Sequence, residues 1–359
     1  VEIAEAFTTI AIEETEMKTL IENYESFPGA HCGSVAMRGL LNHYCGLALP
    51  EAAVFGLGSG AASVYIAGPA MNPAAMLVGR RLSMEQDLAT NLQIDYSERP
   101  EPDDDVAWQV VREEVLAGNP TMLSGDILYL DYREFKVNFP GHRFVLLGFD
   151  DDTQKVSIAD RIRPEPEICS YGALFKSRNP PVGMSTKNLW GRFQDKTVGR
   201  PLVDATKRAI ALCAESMLDE SPPAEETEGD GGVVMRTGIQ AIRIFAEDVS
   251  EWSNREDAAW IAGYNASCIE KFGNGGGNFR RLYSGFLSWA RELDPRLVPE
   301  SAPTRALEAA DAWTEVSNAL FAASRDESNE KHWNDAAGHA RRVADLEDRL
   351  FHTLADAGG

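Results

Sequence analysis

The sequence predicts an α+β fold: a mixed helix-and-strand domain over residues 1–200, followed by an all-helical domain over residues 201–359. Three observations carry this. Short apolar runs bounded by Gly, Pro and Asp alternate with helical patterns through the first half. From Val233 onward the apolar residues recur at helical spacing, as in Ile239, Ile242, Phe245, Ala246 and Val249. A chain of 359 residues with 44% hydrophobic content can also bury a substantial core, and its length suits two domains.

The elements follow in order. Residues 1–25 carry a weak amphipathic pattern around Met17, Leu20, Ile21 and Tyr24, a helix or strand that leads into the Pro28-Gly29 turn. After Cys32, Ala36, Leu40 and Tyr44 repeat at i, i+4 and i+8, with Met37 and Leu41 on the adjoining row. Gly46 stands where such a helix stops. Pro50 and Glu51 suit the start of a short helix. The Gly56-Leu57-Gly58-Ser59-Gly60 segment lacks the lysine and the spacing of a phosphate-binding loop. It reads instead as the backbone wall of a pocket. A strand over 62–67, a helix over 83–94, an acidic loop over 100–105, a helix over 106–117 and a buried strand over 122–130 come next.

Residues 141–160 read as a β-hairpin around an Asp-rich turn. With a loop of Asp150 to Asp152, His142 falls directly opposite Asp160. Side chains paired in that way share a face, with Cβ atoms roughly 4.5–5.5 Å apart. A slip of one residue would put Arg161 there instead. Residues 161–200 carry turns and basic residues, and 203–218 read as a helix. Asp219 to Gly232 is a solvated linker, with Pro222-Pro223 and several Glu. Further helices are expected near 257–271, from Asn278, and over 304–324 and 329–355, with a break at Gly273-Asn274-Gly275-Gly276-Gly277.

Composition narrows the function. A formal net charge of −22 argues against non-specific nucleic-acid binding and is compatible with a cationic small molecule, although solubility is the simpler reason for it. The five cysteines, Cys32, Cys45, Cys169, Cys213 and Cys268, are spread without zinc-ligand spacing or a disulfide framework, and the six histidines form no metal motif. No metal and no cofactor are expected. No apolar run reaches membrane-spanning length, and the first residues lack the pattern of a signal peptide, so a reducing cytoplasm is expected.

Cys32 is the residue around which chemistry gathers. At a helix start the unpaired N–H groups favour a thiolate and can receive an oxyanion. A thiol also needs a base to take its proton and a third group to orient that base. His142 at a strand start and Asp160 on its partner strand fill those roles. His31 adjoins the nucleophile and points elsewhere, and His43 lies too far along the helix. The chain order of cysteine, histidine and acid is that of papain-like enzymes.

These segments give a resemblance. His31-Cys32-Gly33-Ser34, Gly56-Leu57-Gly58-Ser59-Gly60, Asp126-Ile127-Leu128-Tyr129-Leu130 leading to His142, Gly148-Phe149-Asp150-Asp151 and Ala159-Asp160-Arg161 resemble the butirosin biosynthesis protein H family. Gly275-Gly276-Gly277-Asn278-Phe279-Arg280-Arg281-Leu282-Tyr283 resembles its helical C-terminal domain. The resemblance implies a papain-like first domain and a cysteine-dependent acyltransferase of secondary metabolism. An acyl or aminoacyl group would pass from a carrier-protein or coenzyme thioester to Cys32, and then to an amine or hydroxyl acceptor. His142 would move the protons and Asp160 would hold the imidazole. Papain-like enzymes add a glutamine shortly before the cysteine, and Tyr24-Glu25-Ser26-Phe27 offers none, so the second oxyanion donor is unassigned. Gly58, Ser59, Gly60 and Tyr129 are candidates for substrate binding. Arg280 and Arg281, at a helix start after the glycines, are candidates for a pantetheine phosphate or a substrate carboxylate. The helical domain would serve as a lid, and its amphipathic helices offer a surface for a homodimer. A hydrolase, peptidase or cyclase on the same three residues, or a non-catalytic binding protein that kept the fold, are the alternatives.

Overall fold

The structure is a computed structural model that describes residues 17–69, 71–182, 185–220 and 232–358. The start of the first amphipathic pattern and most of the expected linker lie outside the described residues. Strand β1 (Lys18–Leu20) leads to α1 (Cys32–Cys45) and the short α2 (Glu51–Leu57). Two paired strands, β2 (Ala61–Ala67) and β3 (Ala75–Arg80), precede α3 (Met84–Leu92), β4 (Tyr96–Arg99) and α4 (Asp104–Leu116). Then come β5 (Thr121–Gly125), β6 (His142–Asp150), β7 (Lys155–Ala159), β8 (Glu167–Ser170), α5 (Tyr171–Arg178) and β9 (Trp190–Phe193). The second half holds α6 (Leu202–Leu218), β10 (Val234–Thr237), α7 (Gly238–Glu251), α8 (Ala258–Glu270), α9 (Arg280–Leu293), α10 (Ala302–Ala323) and α11 (Glu330–Gly358).

The fold is α+β, as expected. The main sheet runs β4-β9-β5-β6-β7-β8, with β1 also on β6, and every pair is antiparallel. Its two faces belong to different cores. Val145 and Leu147 of β6 join Ala36, Met37 and Leu40 of α1 in the main core, which continues into the helical half through Phe286, Trp313 and Leu350. Phe144 and Leu146 face a smaller core with Leu174 and Trp190. That alternation is the period-2 signature of a strand buried on both faces.

Several elements differ from the sequence expectation, each for a local reason. The strand expected over 122–130 ends at Gly125, because the Asp126 side chain accepts the Leu128 N–H and turns the chain into one 3-10 turn. Residues 161–200 hold β8, α5 and β9 as well as turns, and β9 lies inside the main sheet. The stretch from Val233 onward, expected to be helical, opens on a strand: β10 pairs with β2 to complete a three-stranded sheet, β10-β2-β3. Two-residue alternation over four residues is too short to stand out beside the long helical pattern that follows.

The halves are thus interlocked. Asn265 of α8 accepts the Leu77 N–H and donates to the Ala75 carbonyl of β3. Gly56 of α2 lies against the Phe286 ring of α9, and a Cβ there would fall 1.8 Å from the ring. Gly56→Ala is therefore expected to cost about 3 kcal/mol through overpacking. A fall in the urea midpoint at constant slope would report it, and an unchanged midpoint would refute it. Among the described residues no helix is long and apolar enough to cross a membrane.

Candidate active site

The turn that presents Cys32 is built by hydrogen bonds. Glu51, at the first position of α2, accepts the backbone N–H groups of Ala30 and His31, the latter at 2.6 Å. His31 then caps α1: its Nδ1 accepts the Ser34 N–H at 3.2 Å. Burial first, then the charge of Arg80, push the His31 pKa well below the usual value, which suits a neutral, accepting cap. Cys32 follows as the first residue of α1. Among the described residues the N–H groups of Cys32 and Gly33 have no hydrogen-bond partner, so the helix start offers two donors for an oxyanion. At the far end Gly46 adopts the left-handed conformation at φ 62° and returns its N–H to Asn42, as the sequence predicts.

His142 and Asp160 meet, by a different register from the one expected. The hairpin loop is four residues long, Asp151 to Gln154, and Asp150 pairs with Lys155. A bulge at Leu147 then shifts the pairing, so that Leu146 faces Ile158 and Val145 faces Ala159. Continued by one residue, Asp160 lies opposite Phe144 and diagonal to His142 on the same face. Without the bulge Asp160 would stand opposite Val145 and point away from His142. The observed contact is His142 Nε2 to Asp160 Oδ2 at 3.0 Å, with both residues buried. That leaves Nδ1 of His142 for the thiol.

Asp160 is held from other sides too. Its Oδ2 accepts Tyr132 Oη at 3.0 Å and an Arg133 nitrogen at 2.7 Å, and its Oδ1 accepts the Arg161 N–H at 2.6 Å. Burial would raise its pKa, but the charges of His142 and Arg133 and these hydrogen bonds hold it far below the usual carboxylate range. Tyr132 and Arg133 were not found from the sequence. They sit in an irregular loop, and only the fold brings that loop over Asp160.

The thiol and imidazole are tuned toward each other. Burial pushes Cys32 up, yet the hydrogen bonding and charge of His142, the Arg143 backbone N–H and the charge of Arg80 bring it down to about 7. Burial pushes His142 down, yet Asp160 and Cys32 raise it to about 9. Between those values the pair stands as thiolate and imidazolium. None of the other four cysteines is set up in this way. Burial raises Cys45, Cys169, Cys213 to about 11, and Cys268 to about 12. Arg133→Met should move the loss of the imidazolium to higher pH, because one competing cation leaves the shared carboxylate. The alkaline limb of the pH–rate profile checks this, and a downward shift would contradict it.

A buried charge network lies behind the thiol. Arg143 meets Glu98 at 3.1 Å and Glu85 at 3.6 Å, and Arg80 meets Glu85 at 3.6 Å. A Cβ on Gly33 would fall 2.3 Å from Glu85 Oε1, so the glycine after Cys32 is what admits that carboxylate. The cleft at the thiol is narrow and lined by Tyr24, Ser26, Phe27, Cys32, Arg143 and Arg161, among others.

The remaining sequence candidates lie elsewhere. Gly58, Ser59 and Gly60 are buried: Ser59 Oγ accepts from Asn91, and Cβ atoms on Gly58 and Gly60 would meet Met84 and Phe55. They pack the interior and do not line the cleft. Tyr129 is half-buried in the 3-10 turn after β5, also outside the cleft lining. Arg280 corrects the expectation of an anion site most sharply. It is fully buried and donates to the carbonyls of Ala62, Gly79 and Asn278, to Ser63 Oγ and to both oxygens of Glu347. All its donors are consumed, so it ties the helical half to β2 and β3. Arg281 is at the surface, paired with Asp311 at 2.9 Å. The preceding Phe279 stacks on Phe55 and meets His31 edge-on at 5.2 Å, which sets the glycine-rich segment against the turn that carries Cys32.

Residues 31–161 match the family described as butirosin biosynthesis protein H, N-terminal, and residues 177–354 match a domain of unknown function, DUF4872. The chain belongs to the butirosin biosynthesis protein H family. Membership places it among the enzymes of antibiotic-related secondary metabolism. The first match opens on His31, the cap of the Cys32 helix, and closes on Arg161, next to Asp160, so it spans the cysteine, the histidine and the acid. No curated protein matches the chain.

Proposed function

We propose that this protein is a cysteine-dependent acyltransferase that takes an acyl or aminoacyl group from a thioester and delivers it to an amine or hydroxyl acceptor. One observation carries the reading. The one cysteine whose pKa is brought down stands at a helix start beside an imidazole that a buried carboxylate holds at 3.0 Å. The thiolate of Cys32 attacks the thioester carbonyl, and the carbonyl electrons move to an oxyanion facing the N–H groups of Cys32 and Gly33. The carbon–sulfur bond to the donor breaks, and the donor thiol leaves with the proton from His142. The acceptor then attacks the acyl-Cys32 thioester. His142 takes its proton, the new carbon–nitrogen or carbon–oxygen bond forms, and the Cys32 thiolate is released. Asp160 keeps the imidazole oriented throughout.

The donor is a carrier-protein or coenzyme thioester, and the strongly acidic chain suits a polyamine acceptor. Intact mass after exposure to acyl thioesters, with and without amines, tests this. An adduct on wild type that is absent from Cys32→Ala and is converted to amide by an amine is the expected result. An adduct lost equally fast in plain buffer would make the protein a hydrolase. No adduct, with Cys32 inert to alkylation, would make it a binding protein.

A further inference from the structure

The cations around Cys32 differ in one respect. Arg133 is paired with Asp160, Arg143 with Glu98 and Glu85, and Arg80 with Glu85. The imidazolium of His142 is balanced by the Cys32 thiolate. Among the described residues Arg161 has no carboxylate partner; its one side-chain hydrogen bond is a long 3.4 Å contact to the Gly29 carbonyl. In a chain with 56 acidic and 34 basic residues, an unpaired arginine inside a cleft is a surplus charge that invites an anion.

Arg161 is also held in place. Its N–H donates to Asp160, and its carbonyl accepts the Gly29 N–H at 2.9 Å, which ties it to the loop that runs into Cys32. Gly273 of the glycine-rich segment passes on the other side. A Cβ there would lie 3.7 Å from Arg161 Nε, in ordinary van der Waals contact, so the segment passes close beside the guanidinium. Arg161 lines the same narrow cleft as Cys32, and its charge reaches His31.

We propose that Arg161 is a carboxylate-recognition residue, and that the acyl group loaded on Cys32 carries a carboxylate close to its carbonyl end. The proposal rests on the acyltransfer reading for its substrate, though the anion subsite can be tested without it. A planar guanidinium suits a carboxylate through paired hydrogen bonds. A pantetheine phosphate offers the same charge, but its long arm sets it far from the thioester sulfur, whereas Arg161 shares the cleft with the thiol. The same charge repels a cationic acceptor, so donor and acceptor are sorted by sign.

Two measurements on the full chain, wild type and Arg161→Gln, decide the matter. The first is the ratio of Cys32 alkylation by iodoacetate to that by iodoacetamide, at a pH inside the ion-pair window. These reagents differ in charge and form no oxyanion. Wild type should favour iodoacetate over the variant's ratio by roughly tenfold, the effect of one charge-assisted hydrogen bond. Equal ratios in the two proteins would overturn the proposal. The second measurement compares succinyl and butyryl thioesters of N-acetylcysteamine, neither of which carries a phosphate. Faster acylation by the succinyl donor, lost in Arg161→Gln, supports a carboxylate on the acyl group. A preference that depends on Arg161 only when butyryl is carried on coenzyme A would assign the residue to the phosphate and overturn it. An iodoacetate preference without acylation by any donor would leave the anion subsite standing and remove the acyltransfer reading. A Cys32 that neither reagent labels would remove both.

Discussion

Replacement of His142 by alanine is expected to slow acylation of Cys32 by about a thousandfold, because the thiol loses both its base and its counter-charge. The pH dependence gives the sharper reading. In wild type the thiolate forms with a midpoint near 7 although the thiol is buried, since the imidazolium outweighs the cost of burial. In His142→Ala the burial cost stays and the largest compensating interactions go. The midpoint should rise past the ordinary value of 9.0. Loss of a cation raises a thiol pKa, so reactivity should vanish at neutral pH and return only as the pH rises. Alkylation of Cys32 against pH checks this by mass. An unmoved midpoint would mean that the helix start alone makes the thiolate. Asp160→Asn should fall between the two, because the imidazole keeps a hydrogen-bond partner but loses the charge that raises it to about 9.

Loss of Arg280 is expected to be the most damaging change for the fold. Arg280 and Glu347 are both fully buried and bonded at 2.7 Å, and Trp313 also donates to Glu347 at 2.7 Å. Removing one member leaves the other charged, buried and unpaired, which costs about 3–5 kcal/mol. Three strand and loop carbonyls and Ser63 also lose their donor. Arg280→Met should therefore lower the urea midpoint strongly. The pair Arg280→Met with Glu347→Leu should recover part of the loss, because no orphan charge remains. Additive losses would show that the two residues act independently. Phe279, the residue before Arg280, packs on His31, so a weakened staple should also slow Cys32 alkylation before global unfolding sets in.

Local chemistry reached a long way into this protein. The start and stop of the Cys32 helix were legible, because the Pro28-Gly29 turn precedes the apolar repeat and Gly46 supplies the left-handed stop; the cap that His31 provides was not. The long helices of the second half were legible for the same reason: each buries one face, and the 3.6-residue period is written along the chain. The residues of the cysteine, histidine and acid set were readable as types, since a thiol nucleophile needs those partners. Their placement was not. The contact between His142 and Asp160 depends on a four-residue loop and on one bulge at Leu147, and each shifts the pairing in a way that residue types do not specify.

Tertiary structure alone decided the rest. It drew Tyr132 and Arg133 onto Asp160, set Glu85 behind Gly33, and left Arg161, in the cleft with Cys32, without a carboxylate partner among the described residues. It turned Arg280 from an expected ligand site into a buried staple, because its acceptors come from positions near 62, 79 and 347. Helical and strand periods report which face of an element is apolar. They carry no information about which distant element will cover that face, and that element decides whether a buried arginine meets a carboxylate or a ligand.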